Sequence, residues 1–219
     1  MILHAPCQAG TVAELSYGGI QLGLMIDPAG EGRIEVPGFK PVTPAVVSFA
    51  DGSELAFSLR FSSLERIERV AVMWDTPIQL TLNALEFGAA PGATGHVSPD
   101  HPRDFHDARR SGGGFMAVYE PVDGVGQHLQ VYSYYLKSGG VAGGVELVVD
   151  FPSRNLERLA GTCGDGEFAS PRLAVLQSVR GKPARPLNRR LSPVGCAEVA
   201  SLADGLRGDR VADLKVSPR

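Results

Sequence analysis

The tightest constraint on the fold is an alternation of period two. Ile20, Leu22, Leu24 and Ile26 fall at every second position, and so do Leu55, Phe57, Leu59 and Phe61. Successive side chains of a strand point to opposite faces, so each set forms one apolar face of a short strand. Turn dipeptides separate such runs. Gly18 and Gly19 lie between residues 11–17 and 20–26, and Asp51 and Gly52 between residues 45–49 and 54–61; both pairs suit tight hairpins. With 27 glycines and 16 prolines spread along 219 residues, the chain reads as many short elements joined by turns, which is the signature of an all-β protein.

Residues 1–62 read as short strands with a turn at residues 27–32 and a further strand at 33–36. A small sandwich of immunoglobulin or transthyretin type is the economical arrangement. Residues 62–70 read as the boundary, either one helical turn or a polar linker. Residues 63–219 then supply a second set of strands, at 70–74, 78–87, 115–120, 127–136, 144–151 and 172–179. A larger β-sandwich or jelly roll fits these lengths. In the strand at 127–136, His128, Gln130, Tyr132, Tyr134 and Leu136 share one face, and Leu129, Val131, Ser133 and Tyr135 the other. Large side chains on both faces predict that this strand is covered on both sides. Residues 88–114 read as a long loop, 197–207 as a helix and 211–216 as a last strand.

Charge excludes some partners. Residues 1–102 carry 5 Lys/Arg against 11 Asp/Glu, and residues 103–219 carry 16 against 13. Neither half is basic enough to point to nucleic acid. The run 180–190 holds five cations but no aromatic residue on which bases could stack, so it reads as a solvated, extended linker. No apolar run reaches the roughly 18 residues of a membrane-spanning helix. The N-terminal residues lack a charged segment followed by an apolar one, so no export signal is expected in this chain.

The loop 88–114 holds the densest chemistry. His96, His101 and His106 recur at intervals of five, with Asp100, Asp104 and Asp107 beside them. Imidazole and carboxylate are ligands for zinc and other divalent metals. His96, His101, His106 and Asp104 are therefore the candidate metal ligands, should a divalent metal be bound. The spacing fits no helical face, Pro99 and Pro102 exclude a helix across it, and the commonest zinc-hydrolase motif is missing. A solvated loop whose histidines cap turns is the plainer alternative, with no cofactor. Gly112, Gly113 and Gly114 read as a flexible hinge. No residue stands out as catalytic. Trp74, Asp75, Tyr132, Tyr134, Arg109 and Arg110 are candidates for binding, because rings with polar tips beside charged groups suit a sugar or a protein surface; core packing is the alternative for the aromatics. Of three cysteines, Cys163 and Cys196 could form a disulfide or stay as buried thiols.

Two stretches carry a resemblance. Residues 5–10 (Ala5 to Gly10, with Cys7) lead into Val12 to Gly19, and Arg69 to Trp74 precede Asn83 to Ala89. Together they resemble an uncharacterised group of alphaproteobacterial envelope-type β proteins, and Cys163 and Cys196 match cysteines of that group. The resemblance implies an exported β protein, periplasmic or extracellular. The functional expectation is a bacterial binding or assembly module that contacts a protein partner or a cell-surface glycan and can form oligomers. The alternatives are a metal-dependent hydrolase or isomerase built on residues 96–107, and a structural decoration or spike component of a phage-like particle.

Overall fold

A computed structural model describes residues 1–75, 79–137, 142–150, 172–180, 182–183, 186–190 and 209–216. Its architecture is all-β, with one short α-helix among these residues. Three sheets make the body. The first is antiparallel and four-stranded: β2 (Val12–Tyr17) lies between β3 (Ile20–Met25) and β5 (Val42–Ser48), and β6 (Glu54–Arg60) closes it beyond β5. The pair β1 (Ile2–His4) and β4 (Glu31–Arg33) flanks this sheet. The central sheet runs β10 (Gly113–Tyr119), β11 (His128–Tyr135), β7 (Ile67–Trp74) and β13 (Arg172–Val179), with β14 (Lys182–Pro183) and β15 (Leu187–Arg190) both on the far side of β13. The third is ordered β16 (Asp209–Val216), β12 (Gly143–Asp150), β8 (Thr81–Glu86) and β9 (His96–Val97).

The central sheet is buried on both faces, and alternation explains how. Val70, Val72, Trp74, Tyr132 and Val175 face the third sheet, where they meet Leu82, Ala84, Val145, Leu147 and Leu214. Ala71, Met73, Leu129, Val131 and Leu176 face the first sheet and share a core with Leu15, Leu22, Leu24 and Val47. The strand with bulky residues on both sides is thus the middle of a three-layer stack. The expected boundary near residue 62 falls in a 3-10 turn at Leu64–Arg66, and the core beneath the first sheet draws on residues from both sides of it.

Polar side chains stitch the layers. Gln130 reaches from the central sheet to the third: its Oε1 accepts from the Leu82 amide at 2.6 Å and its Nε2 donates to the Leu80 carbonyl at 2.8 Å. Arg69 reaches the other way, donating to the Gly38 carbonyl at 2.6 Å and to Ser133 Oγ at 3.0 Å. Burial lowers the Arg69 pKa, because the ion has left water.

Three local expectations need correction. The segment 88–114 is not a plain loop: it contains β9 and a helix, α1 (Phe105–Ser111). The prolines stop upstream of α1, and the Asp104 carboxylate caps it by accepting from the amides of His106 and Asp107. Gly113 and Gly114 are not a hinge but the start of β10, paired with Tyr135 and Tyr134. Where residues 180–190 are described, they form β14 and β15 against β13 rather than a free linker. The expected helix at 197–207 and the pair Cys163 and Cys196 lie outside the described residues.

Candidate functional site

Two clusters meet around the end of β8, one buried and one open. The buried one centres on Glu86, the last residue of β8, whose alternation turns it inward with Leu82 and Ala84. Its Oε1 accepts from the Gly114 amide at 2.6 Å and from the Tyr132 hydroxyl at 2.7 Å, while Arg103 Nη1 lies 3.0 and 2.9 Å from its two oxygens. Arg103 also donates to the Gly114 carbonyl at 3.0 Å. The knot needs its glycine: a Cβ on Gly114 would fall 2.2 Å from the Tyr132 ring. Desolvation first, then the Glu86 charge, pushes the Tyr132 hydroxyl well above its ordinary value, so it stays a donor. These bonds tie Arg103 and Gly114, both in the 88–114 segment, to Glu86 of the third sheet and through it to Tyr132 of the central sheet.

The open cluster begins one residue later. Phe87 has φ 54°, a left-handed conformation that a bulky residue adopts only when its surroundings enforce it. Here they do. Its amide donates to the Gly144 carbonyl at 2.8 Å, and its ring occupies the space a Cβ on Gly143 would need, 2.2 Å from that position. The ring also meets Tyr134 edge-on, centroids 6.1 Å apart, yet Phe87 stays 45% exposed. It lines a groove of about 580 Å³ with Gly88, Gly144, Leu85, Glu146, Asp213 and Lys215 among its walls. Strand register explains the grouping. Leu85, Glu146 and Asp213 lie abreast across β8, β12 and β16, and Gly144 pairs with Lys215 in the neighbouring position. With no side chain at Gly144, a trough is left between Phe87 and Lys215. The groove is therefore lined by one aromatic ring, two carboxylates and one ammonium group.

The residues singled out from sequence distribute as follows. Trp74, Tyr132 and Tyr134 are buried in the core between the central and third sheets, with Trp74 stacked on His128 at 5.2 Å. Asp75, Arg109 and Arg110 are exposed; Arg110 pairs with Asp107 along α1 at 2.5 Å. His96 and His101 come near each other, ring centroids 6.0 Å apart, whereas His106 packs its ring against Phe105. Both nitrogens of His96 are engaged: Nδ1 accepts from the Gly92 amide at 2.9 Å, which leaves the proton on Nε2 to donate to Asn83 Oδ1 at 2.8 Å. Burial, and secondarily His101, lowers the His96 pKa. Asp104 spends its carboxylate on the helix cap. Among the described residues no group of three or more His, Cys, Asp or Glu side chains is placed to hold a metal ion. No described helix is long and apolar enough to cross a membrane.

Phe87, Glu146, Asp213 and Lys215 escape sequence reasoning, because they come from the residue after β8, from β12 and from β16, which only the fold brings together. The one local sign in the sequence is the pair Gly143 and Gly144, which lies among the lining of the groove. Compared with known proteins, the chain matches no family model and no curated protein.

Proposed function

We propose that this protein is a binding module, not a catalyst, and that it takes a cell-surface glycan in the groove on its third sheet. The observation that carries the reading is Phe87, a bulky residue held in a left-handed conformation and still half exposed in a concave site. Such backbone strain persists where the surrounding structure over-determines it, and it concentrates at ligand clamps. An exposed ring supplies a flat apolar surface for the C–H face of a sugar. Lys215, at the far wall, supplies donors for hydroxyl groups. Glu86, Tyr132 and His96 are committed to hydrogen bonds that hold the fold.

A glycan array probed with the wild-type chain and with Phe87→Ala tests this. The expected outcome is a set of related glycans retained by the wild type and lost by the variant. Equal retention by both would place binding elsewhere. Retention of no glycan, with a polypeptide ligand selected from a displayed peptide library and lost in Phe87→Ala, would keep the groove and change its occupant to a protein. Turnover of an ester or phosphoester that depends on an added divalent metal, and on His96 and His101, would replace the binding reading with the hydrolase.

A further inference from the structure

The two edges of the first sheet are treated differently by the fold. Edge β3 is closed by the connection between β10 and β11. Gln127 donates its amide to the Gln21 carbonyl at 3.0 Å, and Gly126 approaches so closely that a Cβ there would fall 2.4 Å from the Gly23 nitrogen. Edge β6 has no strand beyond it among the described residues. It runs seven residues, Glu54 to Arg60, without a proline or an inward-pointing charge. Unpaired edges of this length are normally blunted, because their free N–H and C=O groups template pairing.

The register of β6 on β5 fixes which groups are free. The Phe61 amide donates to the Pro41 carbonyl and the Ser53 carbonyl accepts from Phe49, both at 2.9 Å, so the odd-numbered residues turn their backbone groups toward β5. Glu54, Ala56, Ser58 and Arg60 therefore turn theirs outward. Side chains alternate the same way. Leu55, Phe57 and Leu59 lie on the inner face, opposite Val47, Ala45 and Thr43, yet Leu55 is 46% exposed and the other two are only partly covered. The inner face of β6 overhangs its core.

We propose that β6 pairs antiparallel with β6 of a second copy of this chain, about a two-fold axis at Phe57. The strand is self-complementary in that register. Glu54 falls opposite Arg60 of the copy, Leu55 opposite Leu59, Ala56 opposite Ser58, and Phe57 opposite itself. All outward backbone groups then find partners, since Ala56 and Ser58 exchange both bonds with their counterparts. The three apolar residues of each copy form one covered stripe, and both ends carry opposite charges face to face. Glu54 already lies on the solvent face beside Ser48, whose hydroxyl donates to it at 3.3 Å. No other alignment of this strand on itself joins all these matches. The surface is separate from the groove at Phe87, so the two readings stand or fall separately.

Sedimentation equilibrium from micromolar to sub-millimolar protein tests the proposal, using the full chain and three variants. The wild type is expected to be a dimer in reversible exchange with monomer. Glu54→Arg and Arg60→Glu each put like charges opposite at both ends and are expected to weaken the dimer by about tenfold or more. The double variant Glu54→Arg/Arg60→Glu restores opposite charges and is expected to recover it. A monomeric wild type, or a dimer indifferent to the single swaps, or singles that are not rescued by the double, would each overturn the proposal. Both positions of the swap are exposed on β6, so far-ultraviolet circular dichroism is expected to be unchanged throughout. Glu54→Arg is expected to keep whatever ligand the groove binds.

Discussion

Glu86 shows how a single buried carboxylate can organise a segment of 27 residues. It accepts from an amide, a hydroxyl and a guanidinium, so the cost of taking its charge out of water is offset by three partners. Glu86→Ala leaves the Tyr132 hydroxyl and the Gly114 amide without their acceptor and Arg103 without its counter-charge, and a loss of about 3–5 kcal/mol is expected in denaturant unfolding. Tyr132→Phe removes one donor from a group that keeps two others, and is expected to cost about 1–2 kcal/mol. A loss below 1 kcal/mol for Glu86→Ala would show that the knot is incidental. His96 predicts a pH effect. Its folded pKa lies below the ordinary value of 6.5, so the unfolded chain binds the proton more readily. Its contribution is fully present above the unfolded value and is lost as pH falls through that value toward the folded one. His96→Gln cannot titrate there, so the stability of the wild type relative to this variant is expected to fall between pH 7.5 and pH 5, measured by urea unfolding. A constant difference would mean that the Gly92 and Asn83 contacts do not depend on the neutral ring.

At the scale of elements, alternation and turn chemistry were legible wherever one face of a strand is buried. Leu22 and Leu24, or Leu55 and Phe57, announce their strands because each face has one environment. Arg172–Val179 was delimited correctly for a related reason: turn residues bound an apolar run. Where the sequence misled, a local rule was overridden by tertiary contact. Gly113 and Gly114 look like a hinge by composition, yet the Tyr132 ring needs the space above Gly114, and Glu86 binds its amide. Gly114→Ala is therefore expected to destabilise the protein far more than the backbone propensity of about 1 kcal/mol would suggest, as read from the melting temperature; a shift no larger than propensity would place the ring elsewhere. Helix α1 was missed because seven residues leave little periodicity, although Asp104 as N-cap and Arg109 and Arg110 in the last turn are the standard terminal signals. The groove could not be read at all, since its row Leu85, Glu146 and Asp213 comes from strands far apart in the chain.

The whole molecule is a stack in which one sheet serves two cores. Val131 and Tyr132 are neighbours in β11, yet they belong to different cores. The strand with large residues on both sides announced that arrangement; the packing of residues 12–60 against its second face did not follow from any pattern. Sharing a sheet predicts coupled unfolding. Trp74, the chain's one tryptophan, is buried in the core beneath the third sheet, so its fluorescence reports that side, while circular dichroism reports all strands. The two are expected to give one coincident transition, and Leu15→Ala, in the far core, is expected to lower it by about 2–5 kcal/mol by both probes. Separate transitions would show that residues 1–62 fold as an independent unit.

The most direct test of the account is a calorimetric titration of the glycan best retained on the array. Wild type, Phe87→Ala and Glu54→Arg are the three chains to compare, the last altered only at the remote strand edge. The account predicts that Phe87→Ala weakens binding by about tenfold or more, the scale expected when an exposed ring leaves a binding site, and that Glu54→Arg binds as the wild type does. Equal affinity in all three would contradict the claim that this strained, half-exposed ring is what the groove is built to present.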